Sequence, residues 1–200
     1  MKTYLLILFF STVTFLGCSK KDDNGFTPTL PPITQTGENT FGCYVDGKLL
    51  IPRDGTGTFN SYDYGMIFWG SPSGFSYNEI DVRDFKSGNG GWINIHIVDL
   101  HENGEGDFII NESNCEDGIG ANPNINIRVR WLDSVTQVYK WYCSIENGGT
   151  LEITRYDFEN MIVSGTFNCI VANSEDPNDI IEITEGRFDI KWNELPSNFP

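Results

Sequence analysis

The segment GGWINIHIVD, residues 90–99, sets Trp92, Asn94 and His96 at alternate positions. In an extended strand successive side chains point to opposite faces, so these three share one face with Val98 while Ile93, Ile95 and Ile97 take the other and supply a core. An indole followed by an amide and an imidazole offers a flat apolar surface flanked by hydrogen-bonding groups. That is the chemistry a sugar ring's apolar face and hydroxyls require. The competing reading is packing, with Trp92 under a loop and His96 satisfied locally. Arg128 and Arg130 alternate with Ile127 and Val129 in INIRVRWL and would border the same face only if the two strands are neighbours.

Other reactive residue types do not assemble into a known chemistry. His96 and His101 are spaced to fall on opposite faces of a continuous strand, so a metal site from them needs an intervening turn. DLHENGEGD has Asp99, Asn103 and Gly104 of a calcium loop but His101 at its third position and Ile110 where the closing Glu belongs. GSPSG puts Pro72 where a nucleophile elbow needs Ser, HENGE lacks a zinc protease's second histidine, and GTGTFN and GEGDFI lack a phosphate loop's third glycine. Asp81, Asp84, Asp189 and Glu182 could pair for glycoside hydrolysis, but a chain with 28 acidic residues yields such pairs by chance. No residue set calls for a cofactor or a metal.

The clearest chemistry lies at the N-terminus. MKTYLLILFFSTVTFLGC has one basic residue, Lys2, before an uncharged apolar run from Tyr4 to Leu16, too short to cross a hydrocarbon core of about 30 Å. Its end resembles a lipobox, the recognition site of lipoprotein signal peptidase, with Gly17 as the small residue before Cys18 and Phe15 where Leu is usual. Residues 1–17 therefore read as a lipoprotein signal peptide, with Cys18 as the acylated first residue of the mature chain. Removing them leaves 12 basic and 28 acidic residues, a net charge of −16. Such a surface repels nucleic acid and anionic headgroups, so membrane attachment must come through the acyl chains.

The elements that would position these groups are strands. Ala121 and Ala172 are the only alanines, while β-branched and aromatic residues abound. Residues 18–39, with Pro28, Pro31 and Pro32, read as a tether; the 21 residues after Cys18 would span about 25 Å as coil and roughly 65 Å if extended. Beyond it TFGCYV, YGMIFW, WINIHIV, DFII, INIRVRWL, VYKWYCSI, TLEIT, MIVSGTFNCIV, IIEIT and RFDIKW alternate between turn residues. This pattern predicts one all-β domain over 40–193, an antiparallel β-sandwich or barrel-like fold, then a C-terminal tail over 194–200. Hairpins are expected at Asp46-Gly47, where a type I′ turn needs positive φ, at RYDFEN, and at EGR.

TQTGENTFGCYVDGK, GTLEITRYDFENMIVSGTFNCIV and IEITEGRFDIKW resemble an uncharacterised family of Bacteroidota lipoproteins carrying a β-rich domain of unknown function. The resemblance covers residues 35–60 and 149–192. It implies a surface or outer-membrane lipoprotein and brings no catalytic residues. CSKKDDN also resembles that phylum's lipoprotein export signal, against the plainer reading of a solvated charge run. Asp133-Ser134-Val135 matches its short O-glycosylation pattern at Ser134.

Cys43, Cys115, Cys143 and Cys169 remain after the anchor, an even number in an oxidising compartment, where three pairings are open. Cys43 shares a face with Phe41 and Val45, and Cys169 with Phe167 and Val171, so both should enter the core. The favoured pairing is Cys43 with Cys169, leaving Cys115 for Cys143; the alternative for the first pair is two buried thiols. The functional expectation is an outer-membrane, cell-surface lipoprotein acting as a non-enzymatic binding module for a glycan or protein ligand. A glycan-processing hydrolase and a structural envelope component are the alternatives.

Overall fold

The computed structural model describes residues 25–59, 62–70, 74, 76–88 and 90–200. The signal segment, Cys18 and Pro72 of GSPSG lie outside the described residues. The strands are β1 (Thr40–Val45), β2 (Lys48–Leu50), β3 (Met66–Trp69), β4 (Tyr77–Arg83), β5 (Trp92–Val98), β6 (Gly106–Ile110), β7 (Asn126–Leu132), β8 (Tyr139–Asp157), β9 (Ile162–Asn173) and β10 (Ile180–Lys191). One helical turn, α1 (Leu100–Asn103), lies between β5 and β6. All strands join a single antiparallel sheet in the order β2-β1-β10-β9-β8-β7-β5-β4-β3, with β6 pairing β8 off that path. The sheet curls into a half-barrel, the barrel-like of the two forms expected.

Strand alternation decides what the curl encloses. Ile80 and Val82 of β4, Ile93, Ile95 and Ile97 of β5, Ile127, Val129 and Trp131 of β7, and Val171, Phe167 and Cys169 of β9 all fill the interior. Arg53, just after β2 at one edge, bridges Asp84, just after β4 beside the other edge. Its guanidinium holds the Asp84 carboxylate in a fork, Nε to Oδ1 at 2.7 Å and a terminal nitrogen to Oδ2 at 3.0 Å. The two edges of the sheet are thus drawn together by a buried ion pair.

Four expectations about the course of the chain change. VYKWYCSI and TLEIT form one 19-residue strand, β8, because its register break between Ser144 and Gly149 is a bulge that the strand passes through. IIEIT and RFDIKW are likewise one strand, β10, and EGR is no hairpin. Glu185 there has φ 52°, and the register with β9 slips between Ile183 and Gly186, so the extra residues are absorbed as a bulge. Residues 30–38 are not free tether. Asp189 accepts backbone N–H bonds from Thr36, Gly37 and Glu38 at 3.0, 2.8 and 3.1 Å, and Pro31 and Leu30 pack where a Cβ on Gly42 would sit. The tail is also docked: Phe199 is buried and its N–H donates to Asp54 at 2.9 Å.

The favoured Cys43–Cys169 bond is absent, and both thiols are free and buried. Cys43 lies on β1 and Cys169 on β9, and the sheet order places β10 between them, with Cys169 opposite Ile183 and Ile183 opposite Val45. Two inter-strand spacings come to about 9.5 Å, beyond the reach of a disulfide. Burial pushes the Cys169 thiol up to about 12 and Cys43 higher still, so neither is ionised. The second pair, Cys115–Cys143, is bonded.

Candidate functional site

The outer face of β4, β5, β7 and β8 carries a cluster of polar and aromatic side chains. Register arranges it in rows across adjacent strands. Arg83 stands opposite Trp92, Trp92 opposite Arg130, and Arg130 opposite Trp141. The next row runs Asp81, Asn94, Arg128, Cys143, and the third Trp69, Glu79, His96, Asn126. β5 and β7 are therefore neighbours, and the two arginines of INIRVRWL do border the face of Trp92.

Trp92 is half-buried, and its Nε1–H donates to Asp81 Oδ2 at 2.8 Å. The Arg83 guanidinium covers its ring at 4.1 Å, Arg128 lies 5.3 Å from the same ring and 5.0 Å from Trp141, and the two indoles meet edge to face at 4.9 Å. Cations over indole faces are attracted by the ring quadrupole, so the rings and guanidinium groups hold one another in place. Arg130 packs on Tyr139 at 4.5 Å.

Asn94 and His96 do not reach the surface; each is 3 % exposed. His96 stacks under Tyr77 at 4.9 Å, and its Nδ1 meets Glu79 Oε1 at 3.1 Å. The cover is the segment between β6 and β7. Cys115 ties it to Cys143 on β8, Asp117 pairs with Arg128, and the Gly118 N–H donates to Glu79 Oε1 at 2.7 Å. For Asn94 and His96 the packing reading holds, because the outer face is outer to the sheet and inner to this loop. Trp92 alone of the three remains partly accessible.

Between this loop and β3 and β4 lies a groove of about 390 Å³, lined by Trp69, Tyr77, Glu79, Asp81, Arg83 and Asp117. Its two carboxyls are pushed in opposite directions. Burial works to raise Glu79, but His96, the Gly118 N–H and Asn94 outweigh it and hold the carboxyl below its usual range. For Asp81 burial prevails over Arg83 and Trp92, and the carboxyl is raised.

Glu79, Tyr77 and Trp69 escaped the sequence reading. YNEIDVR does carry the signal, since Ile80 and Val82 alternate with Glu79, Asp81 and Arg83. The remaining candidate carboxylates are structural or remote: Asp84 is consumed by Arg53, Asp189 holds residues 36–38, and Glu182 is exposed on β10. His101 sits on α1, where its Nδ1 meets the Tyr156 hydroxyl at 2.8 Å, whereas His96 meets Glu79. Among the described residues no three His, Cys, Asp or Glu side chains gather as a metal site. Ser134 is exposed in the turn between β7 and β8. Comparison with known proteins finds no matching family model, no similar curated protein and no similar solved structure.

Proposed function

We propose that the chain is a lipid-anchored binding module of a bacterial outer membrane, exposed at the cell surface, whose outer face takes a saccharide at Trp92. The lipobox-like end at Cys18 and the acidic cluster behind it support the anchor and the address. The binding reading rests on one observation: Trp92 is only half-buried on an outer face yet is held in place by three neighbours, Asp81 at Nε1, Arg83 over its ring and Trp141 at its edge. A ring so immobilised loses little entropy on stacking against a ligand. On a glycan array the full chain should bind, and Trp92→Ala with Trp141→Ala should lose at least about tenfold in affinity, as the loss of aromatic stacking predicts. Far-UV circular dichroism should be unchanged. An intact fold with undiminished binding removes the site.

A hydrolase reading has one specific observation behind it, the groove that holds Glu79 and Asp81 with their carboxyls displaced in opposite senses. That separation suits a base and an acid. Release of reducing ends from an oligosaccharide, abolished by Asp81→Asn, would replace binding by catalysis.

A further inference from the structure

We infer that the ligand of this face is an anionic saccharide, its ring against the accessible part of Trp92 and its carboxylate or sulfate group held by Arg130. The inference rests on the binding reading above and names its ligand class.

The chain has 13 basic residues against 28 acidic ones, yet Arg83 on β4 and Arg128 and Arg130 on β7 stand on one face, on the two strands that flank β5. Their roles differ. Arg128 is 6 % exposed and committed to the loop, through Asp117 and through the Cys115 carbonyl at 3.1 Å. It therefore builds the site. Arg83 engages Asp81 through Nε alone at 3.0 Å, with its side chain 38 % exposed. Arg130 stacks on Tyr139 and forms no ion pair among the described residues. A half-buried guanidinium without a carboxylate is uncommon in a chain with this excess of acid, and stacking has already oriented its planar fork.

Register puts Trp92 directly between Arg83 and Arg130, so the two guanidinium-bearing positions flank the indole at about 10 Å from each other across the sheet. Arg83 is engaged by Asp81 and the Trp92 ring, so a sugar ring against the accessible part of Trp92 would bring an equatorial or exocyclic acid group to Arg130. Guanidinium binds carboxylate and sulfate bidentately and gives up its hydration more readily than an ammonium does. The acidic remainder of the molecule repels long polyanions, whereas a short acidic sugar meets only the local patch within a screening length of roughly 8 Å.

The test is calorimetric titration of the full chain in detergent with three probes: tetragalacturonate, a sulfated galactan tetrasaccharide and neutral galactotetraose. At low salt an acidic probe should bind about tenfold or more tightly than the neutral one, with the preference shrinking at high salt. The better of the two acidic probes separates carboxylate from sulfate. Arg130→Gln should abolish the preference, and Arg130→Lys, which keeps the charge but loses the fork, should reduce it. Should Arg130→Gln fail to fold, the lysine variant decides. Equal binding of acidic and neutral probes, dependent on Trp92, overturns the anionic ligand and leaves the binding module standing. A preference that survives both Arg130 variants also overturns it. No binding to any of the three overturns both.

Discussion

Asp189 shows how one side chain decides where the domain begins. Its carboxylate, on the outer side of β10, receives three consecutive backbone N–H groups from residues 36–38 and the Ser164 hydroxyl at 2.7 Å. Burial alone would raise the carboxyl, but these donors prevail and hold it below its usual range. A carboxyl depressed in the folded state adds stability above its unfolded pKa of about 4, and that stability is lost as pH falls through the folded value. Asp189→Asn should therefore cost about 2–3 kcal/mol at neutral pH, the scale of charge-assisted hydrogen bonds. It should also flatten the fall in urea midpoint between neutral and acidic pH. A variant with the same slope as the parent would show that another carboxylate carries the acid sensitivity.

Among the elements, the loop between β6 and β7 has the most leverage, because it converts an exposed sheet face into a covered one. Its disulfide spans 28 residues, and loop entropy assigns such a bond about 3.5 kcal/mol. Cys115→Ala with Cys143→Ala should lower stability by up to that amount and raise the protease sensitivity of residues 112–124, leaving the strand content unchanged. Alkylation of the native protein without reductant should spare Cys43 and Cys169 until denaturant is added, since both are buried and un-ionised. Rapid native labelling of either would contradict their place in the core. β8 and β9 depend on another local device. A Cβ on Gly149 would lie 2.0 Å from the Asn168 carbonyl oxygen, so the bulge in β8 admits only glycine there.

For the whole molecule, an excess of acid and the proposed lipid anchor would determine behaviour together. With 28 acidic residues against 13 basic ones the net charge opposes attraction to an anionic bilayer, so on the proposed reading attachment comes through acyl chains on Cys18. Cys18→Ala should move the protein from the membrane fraction to the soluble fraction, and proteinase treatment of intact cells should digest the wild-type domain. Sedimentation of the variant with membranes at high salt would defeat the anchor, and full protection of the domain would defeat its outward orientation. Because residues 30–38 are docked on the sheet, at most residues 18–29 would be left to link the proposed anchor to the domain, about half of what the sequence reading allotted to a tether.

Facing is a local property, and local chemistry determined it: the two-residue period of a strand put Ile93, Ile95 and Ile97 inward and Trp92, Asn94 and His96 outward. It also turned Cys43 and Cys169 into the core, and the Asp46-Gly47 hairpin followed from the positive φ its turn requires. What lies beside or above a residue is not local. Only the strand order could place β10 between Cys43 and Cys169, or bring Arg130 beside Trp92, because partners come from strands distant in the chain. Only the tertiary structure could bury His96 beneath Tyr77 and the Gly118 loop, since that cover comes from a separate segment pinned by Cys115–Cys143. The bulges in β8 and β10 hid for the same reason: Gly and Glu-Gly read as turns, and pairing on both sides kept the chain extended through them.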